Sequence, residues 1–196
     1  MPLRIGIDFD NTIACYDRLF AGLAAEMGVV ATAKQAVRDA VRALPRGETR
    51  WREMQALAYG PRMGEATLFA GFTDFVRAAK GQGATLYIVS HKTERSNLTN
   101  AGPSFRTAAR DWMTGLGFFS VMGFARNAVF FESTREEKVA RIATLKLTHF
   151  IDDLPEVFAE PAFPAATTAV AFGGGPEDWP ALAAHLFPQA AREFAA

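Results

Sequence analysis

A chain of 196 residues, 49% hydrophobic and 21% charged, is long enough to bury one sizeable core and has ordinary globular composition. Its 21 basic and 21 acidic side chains cancel, which argues against a bulk electrostatic grip on nucleic acid. Cys15 is the single cysteine, so no internal disulfide can form, and no window is apolar enough for a membrane span or a signal core; a cytoplasmic protein is expected.

In chain order, "RIGIDF" (4–9) is short, apolar and β-branched, and predicts a buried strand. From Thr12 to about Gly28 the pattern turns helical, with Leu19, Phe20, Leu23 and Met27 on one stripe. Helices are predicted over 32–44, with Thr32 as N-cap, over 49–60, closed by Gly60-Pro61, and over 71–83, with Thr73 as cap. "ATLYIVS" (84–90) is a second buried strand, followed by a loop and a helix starting near Ser104. "AVFFE" (128–132) is a third strand. The helix after it (133–145) carries a capping-box signature, Ser133 with Glu136. "THFIDD" (148–153) and "TTAVAF" (167–172) are the fourth and fifth strands, and a terminal helix near 177–187 follows Gly173–Gly175.

Strands alternate with helices after residue 71, which predicts an α/β fold with a parallel sheet. The segment 13–70 has helices and no convincing strand. It reads as a small helical insertion after the first strand, dividing the chain into a core (1–12 and 71–196) and a cap (13–70).

All strands of a parallel sheet present their carboxyl ends at one edge, where ligands bind. The first strand delivers Asp8 and Asp10 there, the second Ser90, His91 and Lys92, the third Glu132, and the fourth Asp152 and Asp153. Lys138 follows on the helix after the third strand. A lone aspartate at a strand end is ordinarily a turn former; matching chemistry at successive ends is not.

These residues resemble the four motifs of the haloacid dehalogenase (HAD) superfamily. "DFDNT" (8–12) is similar to its Asp-x-Asp-x-Thr motif, and Ser90 in "YIVSH" to its strand-ending hydroxyl. Lys138 in "REEKVARI" is similar to its helix-borne lysine, and "FIDDLPEVF" (150–158) to its acidic pair. The resemblance implies a Rossmann-like sheet and a phosphatase working through an aspartyl-phosphate. Asp8 would be the nucleophile, and Asp10 the general acid and then the base. Mg2+ would be held by Asp8, the Asp10 carbonyl and Asp153, with Asp152 in support, although sequence does not order the adjacent pair. Ser90 and Lys138 would hold the substrate phosphate, and backbone N–H groups around Asn11 and His91 would help cradle it. Asp10 favours a phosphate ester over a carbon–halogen bond, because halide needs no proton to leave.

The expected substrate is a small phosphorylated metabolite, with neither nucleic acid nor membrane as partner. A phosphomutase and a non-catalytic phosphate-binding module are the alternatives. A dinucleotide-binding domain would need a Gly-rich turn where Asp-Phe-Asp-Asn-Thr stands. In the insertion, Arg50, Trp51 and Arg52 suit an anionic or flat substrate, against plain packing of Trp51 and solvated arginines, and the turn over 59–66 would let Arg62 face the pocket. Glu132 reads as a cap or a partner of Lys138, and Cys15 as a packing residue.

Overall fold

The computed structural model describes residues 2–95 and 104–189. The chain begins with β1 (Arg4–Ile7), β2 (Ala14–Cys15), α1 (Asp17–Ala25), α2 (Lys34–Arg42) and α3 (Gly47–Tyr59). Then come β3 (Thr67–Leu68), α4 (Phe72–Gly81), β4 (Thr85–His91) and α5 (Phe105–Gly115). It ends with β5 (Val129–Glu132), α6 (Arg135–Thr144), β6 (His149–Asp152), α7 (Pro155–Phe158), β7 (Thr168–Ala171) and α8 (Asp178–Leu186). The five expected strands form one sheet in the order β5-β4-β1-β6-β7, and every pair in it is parallel. Two two-residue strands inside the expected insertion region, β2 and β3, were not legible; two residues are too few for a period.

The chain divides into two compact units. The first comprises Met1–Ala14, Leu68–Lys92 and Gly117–Ala196 and contains the parallel sheet. Val89, Val139, Ile142, Leu147, Phe150 and Val157 form one buried cluster around α6 and β6. Aromatic rings fill a second region. Trp179 meets Phe72, Phe75 and Phe172 at centroid distances of 5.1, 4.7 and 5.0 Å. Gly6, in the middle of β1, is demanded by close approach: a Cβ there would meet Leu147 Cδ1 and stand 2.7 Å from Phe150 Cδ2.

The second unit comprises Cys15–Thr67 and Thr93–Leu116. It is larger than the expected 13–70 insertion because α5 joins it. Phe105 meets Tyr59 edge-on, and Trp112 donates its indole N–H to the Ala66 carbonyl at 2.9 Å. Periodicity shows that α5 has an apolar face, but not what that face packs against. Trp51 stacks on Phe20 at 4.9 Å and is buried, so the packing reading of that residue holds. Arg62 is engaged by Glu26 and Glu65, each at 2.6 Å, and Arg52 by Glu48.

Several local expectations shift. The capping box is Thr134 with Glu137, one residue later than Ser133 with Glu136. α1 starts at Asp17, five residues after the Thr12 where the helical pattern begins; α2 follows Ala33 rather than a capping Thr32, and α4 follows Gly71 at φ +81° rather than Thr73. Ser104 does cap α5, accepting from the Thr107 N–H. The loop expected at 99–103 lies outside the described residues. No helix among the described residues is long and apolar enough to cross a membrane.

Candidate active site

Pairing register places the strand ends in line. Ile7 is level with Ile88 on β4 and Ile151 on β6, and the Asp8 N–H donates to the Ile151 carbonyl at 2.9 Å. One step further along, the central strands hand over Asp8 and Asp152 side by side. Ser90 is level with Phe131 of β5.

Lys138 rises from the first turn and a half of α6 into this edge and is buried. Its Nζ lies 2.6 Å from Asp8 Oδ1 and 2.6 Å from Asp152 Oδ2. The other Asp152 oxygen accepts from the Leu154 N–H at 3.0 Å. Asp153 is half-buried and accepts from the Thr12 hydroxyl at 3.4 Å. Asp8, Asp152 and Asp153 each offer an oxygen within 4.8 Å of the others. Ser90 Oγ is buried at the same edge with no hydrogen-bond partner among the described residues, an exception for a buried hydroxyl and consistent with a ligand oxygen as its partner.

Burial pushes the Asp8 carboxyl up from 3.8 to about 7; Lys138 pulls it down, and Asp152 and Asp10 add to the rise. Burial also raises Asp152 against the pull of Lys138. Burial opposes the charge on Lys138 itself, but the two carboxylates outweigh it and raise the ammonium above its usual range.

The loop after β1 is tightly tied. The Phe9 carbonyl accepts from Ile13 and Ala14 N–H groups, and the Asn11 N–H donates to the Ala14 carbonyl. Asn11 takes a left-handed φ of 61°, a conformation Asn tolerates better than most residues. Asp10 leaves this loop toward Lys92, whose Nζ lies 2.8 and 2.9 Å from its two carboxylate oxygens. The expected contribution of Asp10 to a metal is its backbone carbonyl; its side chain is held by a lysine.

Lys92 is the residue that sequence reasoning undervalued. Its only local signal is that it follows Ser90 by two positions, and its partner lies 82 residues away. His91 is exposed, and its ring Nε2 lies 2.9 Å from the Ser133 carbonyl, away from the carboxylates' own hydrogen bonds. Glu132 neither caps a helix nor meets Lys138. Its side chain pairs with Arg141 at 2.7 Å, and its carbonyl accepts from the Lys92 N–H.

No protein-family model matches the sequence, and no curated protein matches it significantly. Solved structures do share its fold. A haloacid dehalogenase-like protein from Bacteroides fragilis superposes with a TM-score of 0.51 at 14% identity, covering 92% of this chain and 93% of that one. A HAD family hydrolase from Deinococcus radiodurans, with bound phosphate and sodium, gives 0.51 at 13% identity, covering 94% and 88%. A predicted phosphoglycolate phosphatase from Haemophilus somnus gives 0.50 at 12% identity, covering 89% and 86%. The chain has the fold of the haloacid dehalogenase-like hydrolases.

Proposed function

We propose that the protein is a magnesium-dependent phosphatase that hydrolyses a small phosphomonoester through an aspartyl-phosphate on Asp8. The observation that carries this reading is the Asp8 carboxylate. It is buried at the strand edge, fixed at 2.6 Å by Lys138, and stands among Asp152, Asp153 and the Ser90 hydroxyl, which is buried without a partner among the described residues. The bound phosphate in the Deinococcus protein of the same fold supports the same ligand class.

Three clustered carboxylates are the hard oxygen donors that Mg2+ takes, so the residues fit the ion. Asp8, Asp153 and the Asp10 carbonyl would hold it, with Asp152 kept beside them by Lys138 and the Leu154 N–H. When bound, the ion offsets the charge that phosphate brings to this acidic edge.

The chain's own groups supply the steps. An Asp8 oxygen attacks phosphorus as the bond to the leaving oxygen breaks, and the leaving oxygen takes a proton from Asp10. Asp10, now a carboxylate, takes a proton from the water that attacks the phosphorus of the acyl phosphate. Inorganic phosphate leaves and Asp8 is restored. Lys138 holds Asp8 in place and the Ser90 hydroxyl donates to a phosphate oxygen.

Phosphate release from p-nitrophenyl phosphate, with Mg2+ or with EDTA, tests the proposal. Release is expected only with the metal, is expected to vanish in Asp8→Asn, and is expected to be crippled in Asp10→Asn. Normal turnover by Asp8→Asn overturns the mechanism. Absence of release and of magnesium-dependent binding of a phosphate-mimicking metal fluoride overturns the function.

A further inference from the structure

We infer that Lys92 is a positioning residue that fixes the Asp10 carboxyl and so governs the leaving-group half of the reaction. The inference rests on the phosphatase reading above. Lys92 contacts both Asp10 oxygens, at 2.8 and 2.9 Å, and a contact to both oxygens restrains the orientation of the carboxyl as well as its distance. Its side chain is 3% exposed, with Nζ 5.4 Å from the centre of the Phe9 ring. A buried ammonium is costly unless it finds acceptors, and the Asp10 oxygens are what Lys92 finds. In the protonated acid one Asp10 oxygen carries the proton while the other still accepts from Lys92, and the full ion pair forms as that proton passes to the leaving oxygen. The root of the side chain is also fixed, because the Lys92 N–H donates to the Glu132 carbonyl at 2.9 Å. Lys92 thus ties the end of β4 to the loop that follows β1.

Two carboxylates two residues apart repel, and the fold answers by assigning each its own cation. Lys138 serves Asp8 together with Asp152, and Lys92 serves Asp10. Asp10 acts on the leaving oxygen alone in the first step, where the P–O bond breaks and the Asp10 proton passes to that oxygen. An ester whose leaving group is already a stable anion gains little from that proton. Loss of Lys92 must therefore hurt poor leaving groups more than good ones, which a purely structural role or a direct grip on phosphate would not do.

The test compares kcat/KM for phenyl phosphate and 2,4-dinitrophenyl phosphate in wild type, Lys92→Met, Lys92→Arg, Asp10→Asn and the double variant Asp10→Asn/Lys92→Met. Lys92→Met is expected to lose roughly a hundredfold on phenyl phosphate and far less on the dinitrophenyl ester, in line with the usual contribution of a general acid. Lys92→Arg, which keeps the charge, is expected to recover part of the loss and serves if the Met variant does not fold. In the Asp10→Asn background, Lys92→Met is expected to cost nothing further on phenyl phosphate. Equal losses on the two esters, or losses that add in the double variant, overturn the inference. A wild type that hydrolyses neither ester counts against the phosphatase reading instead. Crystal structures of wild type and Lys92→Met then decide the positioning role: a displaced Asp10 carboxyl supports it, and an unmoved one overturns it.

Discussion

Trp179 donates its indole N–H to the Thr12 carbonyl at 3.1 Å, across 167 residues of sequence. Both residues are fully buried. The bond ties the first residue pair of α8 to the loop that carries Asp10 and Asn11, and the Thr12 hydroxyl reaches Asp153 from the same residue. Trp179→Phe keeps an aromatic ring among Phe72, Phe75 and Phe172 but leaves the carbonyl without its donor. An orphaned buried acceptor costs about 1–3 kcal/mol. Urea denaturation is expected to show a lowered midpoint of that size, and an unchanged midpoint counts against the bond's role.

The proton on Asp8 makes stability and metal binding depend on pH together. Burial lifts this carboxyl from its ordinary 3.8 to about 7. Between those values the folded protein retains a proton that the unfolded chain has released. Asp8 therefore takes stability from the metal-free fold as pH rises through that window, and this loss levels off above it, while His149, whose imidazole is held below its ordinary range by burial, acts in the opposite direction. A cation ligated by Asp8 competes with the same proton. The stabilisation conferred by added Mg2+ is expected to grow as pH rises through the window. Thermal melts in EDTA and in Mg2+ at roughly pH 5 to pH 8 check both slopes. An Asp8→Asn variant whose melting temperature in EDTA follows the same pH slope as wild type contradicts the assignment.

The sheet was legible because parallel strands are buried on both faces and read as apolar runs such as "TLYIVS". The carboxylates and Ser90 were legible for the same reason: a polar residue ending such a run must lie at the strand's carboxyl edge. Pairings between side chains were not legible. Nothing in "SHKT" says that Lys92 turns to Asp10, nor does anything in "VFFE" say that Glu132 turns to Arg141. The capping residue of α6 was ambiguous for a local reason, since Ser133 and Thr134 each precede a glutamate by three positions. The helix begins one residue later than the first choice, and Thr134 takes the role. α5 was legible as a helix, but its membership of the second unit depends on Tyr59 and Ala66, far away in sequence.

Lys138 is expected to be the costliest single lysine to remove from the first unit. Its ammonium is shared by Asp8 and Asp152, all three side chains being nearly inaccessible. Lys138→Met leaves two buried carboxylates facing each other with no cation between them. Breaking a buried pair in this way costs about 3–5 kcal/mol. Lys138 pulls both carboxyls down, so without it they hold their protons to higher pH. The stability gap between wild type and variant is therefore widest where the carboxylates are ionised, and narrows as pH falls. Urea denaturation at neutral and acidic pH reads both effects. A variant as stable as wild type at neutral pH refutes the argument.

Gly6 links packing to the site. It lies two residues before Asp8 and level with Tyr87 and Phe150 on the neighbouring strands. Gly6→Ala puts a methyl group into space that Leu147 and the Phe150 ring already fill. These are buried atoms in one cluster, so neither can swing into solvent. Overpacking of this kind costs about 1–3 kcal/mol. Because β1 also sets the height of Asp8 against Lys138, the variant is expected to lose activity alongside stability. Leu147→Ala alone leaves a cavity, but combined with Gly6→Ala it makes room for the added methyl group. The double variant is expected to be more stable than the sum of its single losses, the signature of residues that share one space. Strict additivity in the denaturation midpoints would place the strain elsewhere than at the Leu147 contact.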